Sequence, residues 1–166
     1  MIPNIKKYIK ENYIKDVSDF PQPGVTFKDI SPLLSSNYFP KVINKMSSLV
    51  KTPDYWVGID SRGFIFASAL SIYTEKGMIM CRKKGKLPPP VISESYSLEY
   101  GEDTLEIKAG TGKVVIIDDV YATGGTMDAV EKLCKKAGYT VIDKLVLIDL
   151  KYLHGDTNVK SLIQYE

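Results

Sequence analysis

The hydrophobic positions of the first quarter of the chain follow helical spacing, interrupted by a stretch rich in proline. Apolar residues recur three or four positions apart over 2–13 and again over 39–49, which predicts two amphipathic helices. Between them lies DFPQPGVTFKDISPLL, where proline and glycine exclude regular structure. Its large apolar residues argue against disorder, so we expect an irregular but ordered segment.

Farther along, continuous apolar runs alternate with segments of helical spacing. The runs that predict buried strands are YWVGI (55–59), MIMC (78–81), VVII (114–117) and TVIDKLVLIDL (140–150). Helices are predicted at 63–73 and from about 125 to 137, and the polar segment 82–112 contains SYSL and LEI, two candidates for a hairpin. This alternation predicts an α/β fold with a mostly parallel central sheet flanked by helices.

Composition and charge are those of an ordinary globular chain. The 166 residues are 44% hydrophobic and 25% charged, and we expect a single domain over 1–166. The net charge of +2 is too small to indicate nucleic-acid binding. Cys81 and Cys134 are far apart without metal-ligand spacing, so they are expected to be core thiols. The lack of a signal-peptide pattern and of an apolar run of about 18 residues predicts a cytoplasmic protein without a membrane segment.

Two adjacent acids, Asp118 and Asp119, directly follow the run VVII. Because a buried charge is costly unless it is paired or solvated, two in a row indicate that the strand ends at an opening. In a parallel sheet, ligands bind at the carboxyl ends of the strands. Asp60 follows YWVGI and is therefore expected at the same edge, which is the predicted ligand site.

The loop after these acids has the chemistry of a phosphate site. It consists of Ala122, Thr123, Gly124, Gly125 and Thr126, directly before a predicted helix. Glycines let backbone amides approach a ligand, and a helix N-terminus favours an anion. The patterns GxxxxGK[ST] and GxGxxG are absent, and acids upstream of the loop favour a ribose 5-phosphate. The alternative is that Thr123 caps the helix and the glycines form a tight turn.

The segment VVIIDDVYATGGT resembles the signature of the phosphoribosyltransferases, in which apolar residues precede two acids and a small-residue loop. Four further stretches resemble the adenine phosphoribosyltransferases in chain order: DFPQPGVTFKDISPLL, GIDSRGFIFASAL, RKKGKLPPPVISESYSLEYG and LIQYE. The resemblance implies the type I phosphoribosyltransferase fold with a small hood and a mobile loop. It also implies the reaction of adenine with phosphoribosyl pyrophosphate, giving AMP and pyrophosphate in purine salvage.

The resemblance assigns substrate contacts to the two strand-end loops. The Asp118–Asp119 pair contacts the ribose hydroxyls, and the loop 122–126 holds the 5-phosphate. Asp60, Ser61 and Arg62 hold the pyrophosphate, for which a guanidinium is suited because it binds two oxygens at once. The alternative for Arg62 is an exposed side chain at the start of a helix.

The catalytic roles are assigned to Arg62 and to two residues of the segment that resembles the mobile loop, Lys83 and Glu99. Lys83 is expected to bring positive charge to the leaving pyrophosphate, and a solvated basic run is the alternative. Glu99 is expected to take the purine proton, unless it is a solvent-facing acid, and Tyr100 to pack or hydrogen-bond when the loop closes. This chain has Pro89 and Val91 where the family commonly has glycine and threonine, which stiffens the loop and removes a hydroxyl.

The purine base is expected under the N-terminal segment. By the resemblance, main-chain groups of Thr26 and Lys28 bind the amino group and N1 of adenine, and Val25 and Phe27 form apolar walls. A 6-oxo purine would leave these main-chain groups unpaired, which is costly. His154 is assigned no role.

The implied cofactor is Mg²⁺, held mainly by the substrate and through Asp118 or Asp119, without a dedicated protein cage. The implied partners are adenine and phosphoribosyl pyrophosphate, with no nucleic acid and no membrane, and the family implies a homodimer. Two other functions stay open. One is a phosphoribosyltransferase for another purine base. The other is a non-catalytic regulator that senses phosphoribosyl pyrophosphate and binds DNA, although no DNA-reading module is evident.

Overall fold

The computed structural model describes residues 4–98 and 100–166. The chain divides into two compact units, the N-terminal unit up to Asn44 and the sheet unit Lys45–Glu166. Each unit is described by itself below. The expectation of a single domain over 1–166 stays a prediction.

The N-terminal unit contains two helices that were predicted from the sequence and three elements that were not. Its elements are α1 (Ile5–Asn12), β1 (Lys15–Ser18), β2 (Thr26–Asp29), α2 (Ser31–Leu34) and the start of α3 (Phe39–Ser47). The two predicted helices are confirmed as α1 and α3. The prediction that 19–34 lacks regular structure is wrong, because β2 pairs antiparallel with β1 and α2 follows it. The first two prolines of the segment lie in the turn between these strands, and Pro32 lies in the first turn of α2, where its missing N–H costs nothing.

The sheet unit carries a seven-stranded sheet with the order β5-β6-β4-β3-β7-β8-β9. Its elements are β3 (Tyr55–Ile59), α4 (Gly63–Thr74), β4 (Gly77–Lys83), β5 (Ile92–Leu98), β6 (Gly101–Ile107), β7 (Gly112–Tyr121), α5 (Gly125–Ala137), β8 (Tyr139–Leu150), a 3₁₀ turn (Lys151–Leu153) and β9 (Lys160–Tyr165). The five adjacent strands β4, β3, β7, β8 and β9 are parallel to one another. Strand β6 is antiparallel to both of its neighbours, β4 and β5. The predicted α/β fold with a mostly parallel central sheet is confirmed.

The predicted hairpin is confirmed as β5 and β6, but its register differs from a direct pairing of SYSL with LEI. Tyr96 lies opposite Asp103, so SYSL pairs with residues 101–104. LEI pairs with the start of β5, where Glu94 lies opposite Leu105. Leu98 lies opposite Gly101 at one end of this pairing, and the other pairs follow in the same register.

The core of the sheet unit consists of the strands VVII and LVLI and the apolar stripe of α5. Val130, Leu133 and Cys134 are fully buried on that stripe, at the spacing expected for one face of a helix. Cys81 is also buried, and neither it nor Cys134 forms a disulfide in the described part of the chain. Burial raises the pKa of the Cys134 thiol to about 12, so it stays protonated at neutral pH. No helix within the described residues is both long and apolar enough to span a membrane.

The position of the ligand site follows from the order of the strands. The chain leaves β3 through α4 to reach β4 on one side, and it leaves β7 through α5 to reach β8 on the other side. Because such crossovers are right-handed, the two helices lie on opposite faces of the sheet. The adjacent strands β3 and β7 therefore form a switch point, and a crevice is expected at their carboxyl ends.

Candidate active site

Two strand-end loops meet at this switch point. The pairing of Gly58 with Ile117 places the residues after β3 beside the aspartates near the end of β7. A cavity of about 270 Å³ opens between the two loops. Seven residues predicted from the sequence line it: Asp60, Ser61, Arg62, Lys83, Asp118, Asp119 and Thr126. The structure thus brings together two groups of residues that are almost 60 positions apart in the chain.

Asp60, Asp118 and Asp119 are three of the four aspartates that line this cavity, and two arginines compensate two of these three. The Nε of Arg62 lies 2.8 Å from Oδ2 of Asp119, which is buried. This contact lacks hydrogen-bond geometry, so the Asp119 Oδ2 accepts no hydrogen bond from the described residues even though its charge is paired. The Nε of Arg82 donates a hydrogen bond of 3.2 Å to Oδ2 of Asp60. Arg82 was not predicted as a site residue, although it lies beside Lys83 in the basic run.

The third aspartate, Asp118, lies in an environment that disfavours its charge. Burial raises its pKa well above the ordinary value, and the neighbouring Asp119 charge raises it further. The backbone N–H of Asp119 donates to Asp118 Oδ1 at 2.9 Å and, with Arg62, opposes this shift. The pair therefore presents more negative charge than its surroundings neutralise. Such a pair suits hydroxyl donors or a cation.

A glycine allows α4 to begin close to these aspartates. A methyl group at Gly63 would lie 2.7 Å from the carbonyl oxygen of Ile117 and 3.3 Å from Asp118 Oδ1. Any larger residue at this position would push the first turn of α4 away from β7. Arg62 occupies the N-cap position, and its side chain does not cap the helix. The amides of Phe64 and Ile65 donate to the carbonyl oxygens of Ser61 and Arg62, so the positive end of α4 begins with a tight first turn beside the cavity.

The loop 122–126 forms a second, smaller cavity of about 100 Å³, which shares Asp118 and Thr126 with the first. Gly124 is the N-cap residue of α5 and has a φ of +95°, a conformation that favours glycine. The alternative in which Thr123 caps the helix is wrong, because the cap position belongs to a residue without a side chain. The first amides of α5 are therefore available to an anion.

Tyr121 forms a wall of the smaller cavity and was not predicted from the sequence. A methyl group built on Gly124 would lie 2.5 Å from the Tyr121 hydroxyl oxygen, so the side chain packs directly against the loop. The only sequence signal is an aromatic residue between the acids and the small-residue loop.

The hairpin contributes a further side of the larger cavity. Tyr96 and Leu105 line it, and the Nζ of Lys83 lies 4.0 Å from Oδ2 of Asp103. Lys83 is 61% exposed, so it is available to a ligand. Tyr96, Asp103 and Leu105 were not predicted.

Two predicted residues, Glu99 and Tyr100, follow β5 in the sequence. Glu99 lies outside the described residues. Tyr100 is 90% exposed and is not among the described residues that line either cavity. At the base of the adjacent loop, the Nζ of Lys108 donates to the carbonyl oxygens of Pro88 and Pro90. The closure of this loop stays a prediction.

The residues predicted to bind the base belong to the N-terminal unit. Thr26, Phe27 and Lys28 lie on β2, and Val25 precedes it. The Lys28 Nζ lies 2.6 Å from Oδ1 of Asp16, so its side chain is occupied within the unit. Residues two apart on a strand direct their main-chain groups to the same edge, which is the geometry that the predicted contacts of Thr26 and Lys28 need.

The donors present in the sheet unit fit a shared rather than a caged Mg²⁺. Within residues 4–98 and 100–166, no cluster of three or more His, Cys, Asp or Glu side chains could hold a metal ion. Mg²⁺ binds one or two carboxylates together with substrate oxygens and water. Asp119 has a buried oxygen without a hydrogen bond from the described residues, and a cation would offset the charges that raise the pKa of Asp118.

Comparisons with known proteins agree with this geometry. Residues 36–159 match the family model described as a phosphoribosyl transferase domain. The adenine phosphoribosyltransferase of Hydrogenovibrio crunogenus is 46% identical, over 98% of this chain and 99% of the relative. The crystal structure of adenine phosphoribosyltransferase from Thermoanaerobacter pseudethanolicus is 35% identical with a TM-score of 0.88, over 96% of this chain and 99% of that one. The Giardia lamblia enzyme complexed with 9-deazaadenine is 32% identical with a TM-score of 0.83, over 92% and 94%.

Proposed function

The chain belongs to the phosphoribosyltransferase family, and from this membership and its two strand-end loops we propose that it transfers the phosphoribosyl group of phosphoribosyl pyrophosphate to adenine. The products are AMP and pyrophosphate. The observation that carries the proposal is the meeting of two helix N-termini at one switch point, with acids between them. A sugar with a phosphate at each end needs this arrangement of anion site, hydroxyl acceptors and anion site.

The 5-phosphate and the ribose are assigned to the end of β7 and the loop after it. The amides that open α5 bind the phosphate, and Gly124 lets the backbone approach it. Asp118 and Asp119 accept hydrogen bonds from the ribose hydroxyls. These contacts fix the anomeric carbon relative to the base, and such positioning is a major part of catalysis in a two-substrate displacement.

The pyrophosphate is assigned to the loop after β3. Arg62 and the positive N-terminal end of α4 stabilise its oxygens, and the exposed Lys83 adds positive charge from the hairpin side. This charge stabilises the pyrophosphate as the bond between C1 of the ribose and its oxygen breaks. Mg²⁺ supplies further charge neutralisation on the pyrophosphate when it is bound, with Asp118 or Asp119 as the protein donor.

The base is assigned to Val25, Thr26, Phe27 and Lys28. Main-chain groups select the amino group and N1 of adenine, and a 6-oxo purine presents the opposite polarity. The new bond joins N9 of adenine to C1 of the ribose, and the imidazole proton leaves the base. Glu99 is the proposed acceptor of that proton, supported by the sequence resemblance of its hairpin.

The proposed reaction is tested by measuring pyrophosphate and AMP from phosphoribosyl pyrophosphate, Mg²⁺ and each of adenine, hypoxanthine and guanine. Adenine is expected to react at least about a hundredfold faster in kcat/KM, since mismatched polarity leaves buried groups unpaired. A preference for hypoxanthine or guanine would refute the base assignment. Absence of turnover with every base would favour the sensor alternative, for which DNA binding is the next measurement.

The residue roles are tested by Arg62→Ala and Glu99→Gln. Each is expected to lower kcat/KM by about a hundredfold or more, the usual scale for a group that stabilises or moves charge in the transition state. Glu102→Gln is the matched control, because it removes an exposed acid three positions after Glu99 in the chain. Activity equal to the wild type in both site variants would refute the roles even if the reaction were observed.

The proposal includes a homodimer that acts in the cytoplasm in purine salvage. Its support is the resemblance to the family. Light scattering of the purified protein at working concentration measures the assembly, and a monomeric mass with full activity would contradict it.

A further inference from the structure

The loop that follows β8 places His154, the one histidine of the chain, against a wall of the phosphate cavity. The rings of His154 and Tyr121 meet edge to face, with centroids 4.8 Å apart and planes at 82°. The Tyr121 hydroxyl, in turn, lies against the Cα of Gly124 so closely that no methyl group would fit between them. A continuous packing path therefore runs from His154 to the loop 122–126.

Both ring nitrogens of His154 face oxygens that accept hydrogen bonds. Nε2 lies 2.6 Å from Oδ1 of Asp149, a carboxylate that is 1% exposed. Nδ1 lies 2.6 Å from the carbonyl oxygen of Gly155. A carbonyl oxygen and an ionised carboxylate cannot donate, so both contacts are satisfied only when both nitrogens carry a proton. The geometry thus holds the imidazolium form.

The Tyr121 side chain is held from a second direction by the same loop. Thr157 Oγ1 donates to the Tyr121 hydroxyl at 3.5 Å, and the Val159 N–H donates to Thr157 Oγ1 at 3.3 Å. If His154 lost a proton, one ring nitrogen would have no hydrogen to donate to the acceptor oxygen that it faces. The loop would have to move to relieve the resulting repulsion between the two lone pairs. Tyr121 would then lose its support on that side.

We propose that His154, paired with Asp149, is a positioning residue that holds Tyr121 against Gly124 and so keeps the loop 122–126 in the shape that binds the 5-phosphate of the substrate. This inference rests on the proposed function, which identifies that loop as the phosphate site. The charge of His154 thereby links the affinity for the sugar phosphate to pH, although His154 touches no substrate.

The surroundings of His154 favour its protonated form. The bond to Asp149 raises the pKa of His154, the Gly155 carbonyl raises it further, and the nearby Lys151 opposes the shift. The charged and titratable groups around the imidazole, from β7, β8, the 3₁₀ turn and the chain after them, are Tyr121, Asp149, Lys151, Asp156 and Glu166. The acids outnumber the one lysine in this set, in agreement with the raised pKa.

Because the chain has one histidine, its imidazole Cε1–H gives a single proton NMR signal that needs no assignment. In the full-length wild type we expect a titration midpoint above the ordinary value of about 6.5, and a shift of this signal when ribose 5-phosphate is added. Asp149→Asn is expected to lower the midpoint. A wild-type midpoint at or below the ordinary value, or a signal insensitive to ribose 5-phosphate, overturns the proposal without any variant.

Kinetics then separate positioning from catalysis. His154→Gln is expected to raise KM for phosphoribosyl pyrophosphate on the order of tenfold, with KM for adenine and kcat changed by less than about twofold. The wild-type KM for phosphoribosyl pyrophosphate should rise with pH through the His154 midpoint, and that of the variant should stay flat. Asn158→Ala, an exposed and uncharged change in the same loop, is the control and should match the wild type.

The outcomes distinguish this proposal from the proposed function. Normal AMP synthesis with an unchanged KM for phosphoribosyl pyrophosphate in His154→Gln overturns the positioning role alone. A wild type that makes no AMP, but whose histidine signal still responds to ribose 5-phosphate, overturns the proposed reaction and supports the link between His154 and the phosphate loop.

Discussion

Replacing Gly124 with alanine isolates the contribution of one backbone conformation to phosphate binding. Two separate penalties arise at this position. The φ of +95° is rarely adopted by L-residues, and the new methyl group would lie 2.5 Å from the Tyr121 hydroxyl oxygen and 3.0 Å from Cζ of that ring. Gly125→Ala is a matched control, because a methyl group there would meet no atom within 4 Å and no positive φ is involved.

The expected loss of free energy in Gly124→Ala follows from these two penalties, the unfavourable φ and the steric overlap. A sparsely populated backbone conformation costs about 1–3 kcal/mol, and the overlap with Tyr121 adds to it unless that ring moves. In the ligand-free protein the loop can relax, and the substrate must then restore its shape. We expect the loss to be divided between the free energy of unfolding and the affinity for phosphoribosyl pyrophosphate. A loss borne entirely by binding would weaken it about 5-fold to 150-fold.

The assay measures thermal unfolding together with KM for each substrate. Gly124→Ala should raise KM for phosphoribosyl pyrophosphate and leave KM for adenine within about twofold, because the base is assigned to residues 25–28 and not to this loop. Adding Tyr121→Phe removes the hydroxyl that the methyl group meets, so the double variant should recover the steric part of the loss but not the φ part. Equal effects of Gly124→Ala and Gly125→Ala, or equal rises in both KM values, would refute this reasoning.

Two further predictions concern pH-dependent stability. Burial and the Asp119 charge raise the pKa of Asp118, so its contribution to stability is present below the unfolded value and is lost as pH rises through the folded value. Asp118→Asn should therefore raise Tm at neutral pH, by roughly 2–4 °C per kcal/mol relieved, with a difference that vanishes on acidification, while activity falls. Glu131 shows the opposite behaviour, because its hydrogen bond with the buried Lys144 lowers its pKa. Glu131→Gln should cost about 1–3 kcal/mol above the unfolded pKa of Glu131, and the loss should disappear as pH falls through the folded value; equal destabilisation at every pH would contradict the ion-pair explanation. Glu11→Gln, in an exposed pair, should cost under about 0.5 kcal/mol.

Much of the fold could be predicted because its signals are local. Four apolar runs and two helical stretches specified four of the five parallel strands and both helices of the sheet unit, since periodicity depends only on neighbouring residues; the parallel strand β9 was not predicted. The same reasoning failed at residues 19–34. Proline and glycine there mark a turn between two strands, and the pairing of β2 with β1 depends on contacts that no short window contains.

The residues of the candidate site also separate into those that the sequence could predict and those that it could not. The loops 60–62 and 118–126 could be identified from residue type and order, because acids after a buried strand and glycines before a helix have a direct chemical meaning. Arg82 could not be identified, because its partner Asp60 lies 22 residues away, in the loop after the neighbouring strand β3. Tyr96 and Asp103 reach the cavity only through the register of the hairpin.

By itself, the sequence determined most of the strands and the four longer helices, which loops carry phosphate-binding chemistry and which family the chain resembles. Only the tertiary structure decided that β3 and β7 are neighbours, that arginines compensate Asp60 and Asp119 while the pKa of Asp118 is raised, and that His154 supports Tyr121. The physical reason is distance along the chain. Propensity and periodicity act over a few residues, whereas charge pairing, burial and strand order arise from residues that meet only after the chain has folded.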